Sequence, residues 1–270
     1  MFILELTCIK INKVNTPIGV FDSGVGGLTV WNALVDLLDR ESTVYYCDAA
    51  YAPYGNRTKE EIVERSIKAT NFLIDKGCKL ILVACNTATT NAIAELRTLY
   101  DLPFVGIEPA IKPAALMTKT KKVGVLATKG TLYSSMFHKT VTDYTSGIEL
   151  ITQEGKGLVE AIESNEDRSQ ELKELLEAYI VPMLEQKVDT LVLGCTHYPY
   201  LIPMIESISK GTLKIIEASL PVALQLKKRL EDADLLADST QQTHQFYTSG
   251  DLDLLKRFVR ADLREHCYRL

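Results

Sequence analysis

Two stretches decide the fold: LILVACNT, residues 80–87, and LVLGCTH, residues 191–197. Each is a short continuous apolar run that ends on a cysteine beside Asn or Thr. A run without polar alternation reads as a strand buried on both faces, the kind a parallel sheet uses. A second pair supports the first: IGVFD (18–22) and VGVLAT (123–128) are each a strand leading into a turn. Cys85 and Cys195 stand 110 residues apart, and Gly19 and Gly124 stand 105 apart. Two independent pairs at nearly one offset predict two similar α/β halves.

Working outward, helical and strand signals alternate. Leu28, Trp31, Leu34, Val35 and Leu38 recur at helical spacing after the glycine-rich turn. Thr58 with Glu61 three residues later is a capping box, and the helix it opens stops at Gly77. Residues 87–99 predict a helix, 103–107 and 122–127 strands, and 169–187 a long helix with Leu172, Leu175, Leu176 and Tyr179 on one stripe. Residues 190–193 are again a strand. The expected architecture is two three-layer α/β domains with parallel sheets and a cleft between them. Pro109 and Pro113 mark the crossing between halves and Pro221 the return. The boundaries expected are therefore 17–108 with 221–270 for the first domain, 109–220 for the second, and 1–16 for an extension that reads as an edge strand or loose segment.

The chain has 270 residues, 46% hydrophobic and 24% charged, with a net charge of -5. Its mean hydropathy is +0.03. That length buries a sizeable core without staples, and the acidic balance argues against nucleic acid as the main ligand. No uncharged run approaches a membrane span. Residues 1–11, interrupted by Glu5 and without a basic start, predict no secretion signal. Six cysteines (Cys8, Cys47, Cys78, Cys85, Cys195, Cys267) include no CxxC pair, so neither a zinc cage nor a redox motif is expected. The expectation is a cytoplasmic protein with reduced thiols.

Open α/β sheets bind ligands beyond the carboxyl ends of their strands, where the repeat puts Cys85 and Cys195. A strand-end cysteine is ordinarily a small core residue; two in equivalent positions, each followed by short polar residues, point to a site. Asn86, Thr87, Thr196 and His197 supply donors, and the helices expected to start there supply backbone N–H groups that attract carboxylates and lower a thiol below its usual ~8.5. Two thiols across a cleft suit one reaction: one thiolate removes a proton from carbon while the opposite thiol delivers one to the other face. In DSGVGG (22–27) the glycines fall out of the dinucleotide register, yet Asp22 and Ser23 still sit at the sheet edge where a ligand binds. YAPYG (51–55) is a turn that closes a small pocket if it lies beside the other loops. Of four histidines, only His197 belongs to the site; His138, His244 and His266 are expected to be solvated or half-buried. The acidic run 163–167, and Glu160 with it, reads as solvent-facing.

The motifs GVFDSGVGGLTV (19–30), AAYAPYGNRT (49–58), LVACNTAT (82–89) and LGCTHYP (193–199) together resemble the glutamate racemases, cofactor-independent enzymes of the aspartate/glutamate racemase superfamily. The resemblance implies that Cys85 and Cys195 are the acid/base pair, Cys85 acting on D-glutamate and Cys195 on L-glutamate. It implies that Asp22 assists Cys85 and His197 assists Cys195, with Glu163 the carboxylate on the histidine side and Glu160 the competing alignment. Asp22, Ser23, Tyr54, Gly55, Asn86, Thr87, Thr128, Thr196 and His197 would hold the substrate's amino and carboxylate groups. No cofactor and no metal are implied, D-glutamate would go to peptidoglycan, and a homodimer is admitted but not required. The residues by themselves leave open racemisation of another acidic amino acid, a thiol hydrolase built on one cysteine and His197, and a non-catalytic binding role.

Overall fold

In the computed structural model, residues 13–164 and 166–270 are described. In chain order the elements are β1 (Ile18–Asp22), α1 (Leu28–Leu37), β2 (Thr43–Cys47), α2 (Lys59–Asp75), β3 (Leu80–Val83), α3 (Asn86–Leu99), β4 (Phe104–Gly106) and α4 (Ile111–Met117). There follow β5 (Lys122–Ala127), α5 (Lys129–Leu132), α6 (Ser135–Tyr144), β6 (Glu149–Glu154), α7 (Leu158–Glu163), α8 (Ser169–Glu185) and β7 (Thr190–Gly194). The chain ends with α9 (Ile202–Ser209), β8 (Lys214–Ile216), α10 (Ser219–Asp232), β9 (His244–Thr248), α11 (Leu252–Phe258) and β10 (Cys267–Arg269).

The strands form two sheets. One has the order β10-β9-β2-β1-β3-β4 and the other β6-β5-β7-β8, every pairing parallel. Both faces of each sheet are covered. In the first, Trp31 and Leu34 of α1 and Leu226 of α10 pack on one face, while Leu73 of α2 and Leu96 of α3 pack on the other. In the second, Leu176 and Ile180 of α8 with Ile205 of α9 oppose Ile111 of α4 and Phe137 of α6. The long α8 carries the expected stripe, with Leu172, Leu175 and Tyr179 beside buried Leu176. Thr58 and Glu61 close the capping box of α2, and Gly77, at φ +76, ends it.

Strand order fixes where a ligand goes. From β1 the chain moves to β2 on one side and then to β3 on the other, so the first sheet switches direction between β1 and β3. The second switches between β5 and β7. Crevices of this kind open beyond the carboxyl ends of the flanking strands. Asp22 and Cys85 lie at one; Thr128 and Cys195 lie at the other.

The expectation for residues 1–16 falls mostly outside the described residues. Lys13–Asn15 form one 3-10 turn, and the Val14 carbonyl accepts from the Lys79 ammonium. Lys79 is also paired at 2.7 Å with Glu41 in the interior.

Candidate active site

Cys85 follows β3 and caps α3, its Sγ accepting from the Ala88 N–H at 3.4 Å. Ser23 Oγ lies 3.6 Å from the same sulfur. The Asp22 carboxylate, the last residue of β1, accepts from Ser23 Oγ at 3.1 Å and Gly24 N at 3.2 Å on one oxygen. Its other oxygen accepts from Thr196 Oγ1 of the opposite half at 2.8 Å. On that half Cys195 Sγ stands 3.8 Å from His197 Nδ1, and His197 Nε2 is 2.7 Å from Glu163 Oε1. Glu163 also accepts from Val25 N at 3.3 Å. Both thiols therefore converge, through one neighbour each, on the turn that follows β1. They are nearly closed off from solvent, Cys85 at 5% and Cys195 at 8% exposure.

This convergence explains two glycines. A Cβ on Gly26 would stand 2.2 Å from His197 Nδ1 and 2.6 Å from Thr196 Oγ1; one on Gly24 would stand 2.5 Å from Glu163 Oε1. Thr29 Oγ1 adds a further tie, donating to the Thr196 carbonyl at 3.0 Å. The DSGVGG turn is thus a seat for the Thr196–His197 pair, not a phosphate loop.

The electrostatics separate the two sides. Burial first, and then the nearby Asp22 carboxylate, push the Cys85 thiol well up, against the donations from Ala88 and Ser23. The lowering expected from a helix start is overturned here, because desolvation of the thiolate and an adjacent like charge outweigh one or two N–H donors. Burial likewise raises Asp22, opposed by the His197 charge and the Thr196 hydroxyl. For His197, burial acts downward, yet the bonds to Cys195 and Glu163 win and hold the imidazolium well above its ordinary value. Glu163 is lowered: burial resists ionisation, but the bond and charge of His197 outweigh it.

Two other readings are corrected. Glu163 does not belong to a solvent-facing run, because it is turned onto His197, whereas Glu160 is exposed. No α-helix starts directly at Thr196; a 3-10 turn, Tyr198–Leu201, comes first and α9 begins at Ile202. Pro199 sits in the opening turn of the first and Pro203 in that of the second, where a missing N–H is harmless.

The remaining residues lie around the Cys85 side. Thr87 Oγ1 and Thr128 Oγ1 meet at 2.8 Å across the halves, and a Cβ on Gly55 would stand 2.9 Å from Thr128 Cβ. Asn86 is buried, at 3% exposure, with no partner for its Oδ1. Tyr54 is buried too, but its hydroxyl donates to Asp48 Oδ2 at 2.6 Å. Asp48 is also gripped by Arg65 at 2.8 and 2.6 Å. That Asp48–Arg65 pair, which holds the loop carrying Tyr54 and Gly55, was missed in the sequence; an Asp and an Arg 17 residues apart carry no local signal. His138 is exposed, and His244 and His266 are half-buried, away from the site. Among the described residues no cluster of three or more His, Cys, Asp or Glu could hold a metal ion, and no helix is long and apolar enough to cross a membrane.

Two thiols at the switch points of two sheets, each with its own polar partners, are the arrangement an isomerase that moves protons would use. The comparisons with known proteins agree. The Asp/Glu/Hydantoin racemase family model matches residues 18–229. Glutamate racemase of Pseudomonas entomophila (strain L48) is 45% identical over 249 residues, covering 92% of this chain and 94% of that one. Glutamate racemase of Ralstonia pickettii (strain 12J) is 41% identical over 253 residues, covering 94% and 90%. The crystal structure of Escherichia coli glutamate racemase, in complex with L-glutamate and the activator UDP-MurNAc-ala, superposes with a TM-score of 0.82 at 30% identity, covering 94% of this chain and 98% of that one. The chain belongs to the Asp/Glu/Hydantoin racemase family and is a racemase.

Proposed function

We propose that the enzyme interconverts L- and D-glutamate with two thiols and no cofactor, in the cytoplasm, supplying D-glutamate for peptidoglycan. The observation that carries the reading is the convergence of Cys85 and Cys195, from two sheets, on the single turn after β1. Glutamate as the substrate rests on the relatives, which are glutamate racemases over nearly their whole length. In one direction the Cys195 thiolate takes the α-proton of L-glutamate, and the Cys85 thiol gives its proton to the opposite face. The product is D-glutamate, with Cys85 left as thiolate and Cys195 as thiol; the reverse direction exchanges the roles. Asp22 assists Cys85, and His197, oriented by Glu163, assists Cys195.

The difficulty is the α-proton, whose pKa far exceeds a free thiol's ~8.5. A gap of ten units would amount to about 14 kcal/mol at ~1.36 kcal/mol per unit, and a single general base supplies only about 10²–10⁴-fold. The rest comes from donors aimed at the carboxylate as it becomes enediolate-like, in a site that excludes water. Ser23, Thr87, Thr128, Thr196 and the backbone around Gly55 and the start of α3 are the donors of this reading. The unpartnered Asn86 Oδ1 accepts from the substrate's ammonium, as does Asp22. Burial of both thiols requires the halves to part for substrate entry and to close for chemistry. The cleft mouth lined by Gly55, Asn56, Thr128, Lys129, Gly155 and Glu160 is the entry.

A hydrolase built on Cys195 and His197 would leave Cys85 and Asp22 without a task. The test is a panel of L-amino acids, each incubated with enzyme and no additive while optical rotation is followed. Loss of rotation with glutamate and not with aspartate supports the proposal; the reverse assigns another substrate.

A further inference from the structure

The Glu163 end of the site is held by a residue outside every motif. Arg257 lies in α11, a helix anchored to the first sheet's core by buried Leu255. Its guanidinium reaches across to the second half. Nη1 donates to the Ser164 carbonyl at 2.8 Å, and Nη2 donates to the Glu163 carbonyl. These are C-terminal carbonyls of α7, a helix of six residues. Such carbonyls have no partner within the helix and form the negative end of its dipole, so a cation is a favourable cap.

A second contact runs alongside. Phe258, the next residue, packs on Tyr200 with ring centroids 5.3 Å apart, and Tyr200 belongs to the 3-10 turn that follows His197. One short helix of the first half thus touches both segments that make up the Cys195 side: the α7 end that carries Glu163 and the turn that carries His197. We propose that Arg257 is a positioning residue, which fixes the Glu163 backbone across the cleft so that its carboxylate stays on His197 and keeps the Cys195 side in register with the Cys85 side. The proposal rests on the two-thiol reading and deepens it.

The physical reason is leverage. Glu163 is the last residue of α7; the Ser164 N–H makes the final bond, to the Glu160 carbonyl, and the chain then leaves the helix, so the Glu163 and Ser164 carbonyls lie past the helix's own bonds. Its carboxylate must hold a 2.7 Å contact with His197, and a misplacement near 1 Å costs about 10²-fold in rate. The groups that face Glu163 are His197, Arg257, the Val25 N–H and, more distantly, Tyr200 and Cys47. Arg257 contributes to keeping Glu163 ionised as well as to placing its backbone.

The experiment compares wild type, Arg257→Met and Arg257→Lys, using L-glutamate and D-glutamate with hydrogen or deuterium at the α-carbon. Arg257 is exposed, so neither substitution opens the core, and equal melting temperatures establish that. The methionine variant is expected to lose about ten-fold or more in kcat, within the ~10²-fold that a misplacement of about 1 Å costs. Its primary isotope effect should grow with α-deuterated L-glutamate, whose proton Cys195 removes, and stay near wild type with the D enantiomer. Lysine, which keeps the charge and reaches one carbonyl, should restore part of kcat. Wild-type kcat in the methionine variant overturns the proposal. So does an isotope effect that changes equally for both enantiomers, which is what a structural role alone would give. Wild-type protein that leaves glutamate untouched overturns glutamate as the substrate, and with it the reading on which this proposal rests.

Discussion

Asp22 and Thr196 are joined by a hydrogen bond of 2.8 Å that crosses from one sheet to the other. One residue neighbours Cys195 directly, and the other reaches Cys85 through Ser23, so the bond couples the two thiols' surroundings. It lies in the interior, with Asp22 fully buried. Any separation of the halves breaks it. Thr196→Val removes the donor and leaves a buried carboxylate oxygen one partner short, a cost of about 1–3 kcal/mol. At about 2–4 °C per kcal/mol, the melting temperature should fall by several degrees, readable by calorimetry, and kcat should fall with it.

Gly26→Ala tests the seating of the histidine turn. The added methyl would meet His197 Nδ1 and Thr196 Oγ1 well inside contact distance, so the second half must shift by a sizeable fraction of an ångström. About 10- to 100-fold loss in kcat is expected, while circular dichroism stays that of the wild type. Unchanged kinetics would mean the halves do not come together this way during turnover.

The Glu163–His197 pair gives a pH signature. His197 is raised above its ordinary 6.5, so its contribution to stability is fully present below 6.5 and disappears as pH rises through the folded value. Glu163 is lowered from 4.5, so its contribution is fully present above 4.5 and disappears as pH falls through the folded value. Glu163→Gln should therefore destabilise most between about pH 4.5 and 6.5, by about 3 kcal/mol for a broken buried pair, and less on either side. Melting curves across pH check this, and nuclear magnetic resonance of His197 should show its titration moved down in the variant.

Arg65→Met isolates the loop that carries Tyr54 and Gly55. It leaves the Asp48 carboxylate buried without its cation, at about 3–5 kcal/mol, which corresponds to roughly 10 °C in melting temperature. KM should rise more than kcat falls, because what moves is the loop against Thr128 and not a thiol. Equal effects on both would place Arg65 closer to the chemistry than its contacts with Asp48 indicate.

Much of this site can be read directly from residue order. Strands buried on both faces are continuous apolar runs, so their ends, and with them Asp22, Cys85, Thr128 and Cys195, stand out. Edge strands do not: β6, ELITQE, is half-solvated, with Leu150 and Ile151 its only apolar residues, and β8 has only three residues. Glu160 and Glu163 are three apart on one short helix, so periodicity cannot choose between them; only the position of His197 does. Arg257 lies 94 residues beyond Glu163 and meets it only because the chain returns to the first sheet. The upward push on Cys85 was equally hidden, since a helix start is visible in sequence and the depth of Asp22 is not.

The central claim is that inversion at carbon takes two thiols, one on each face. It is tested most directly by incubating L-glutamate in deuterated water with wild type, Cys85→Ser and Cys195→Ser, following optical rotation and α-deuterium together. The account predicts that wild type racemises and delivers D-glutamate carrying solvent deuterium, and that each single variant loses racemisation by at least the ~10²–10⁴-fold owed to one general acid or base. A variant that still racemises near the wild-type rate, or D-glutamate formed with its original α-hydrogen, would contradict it.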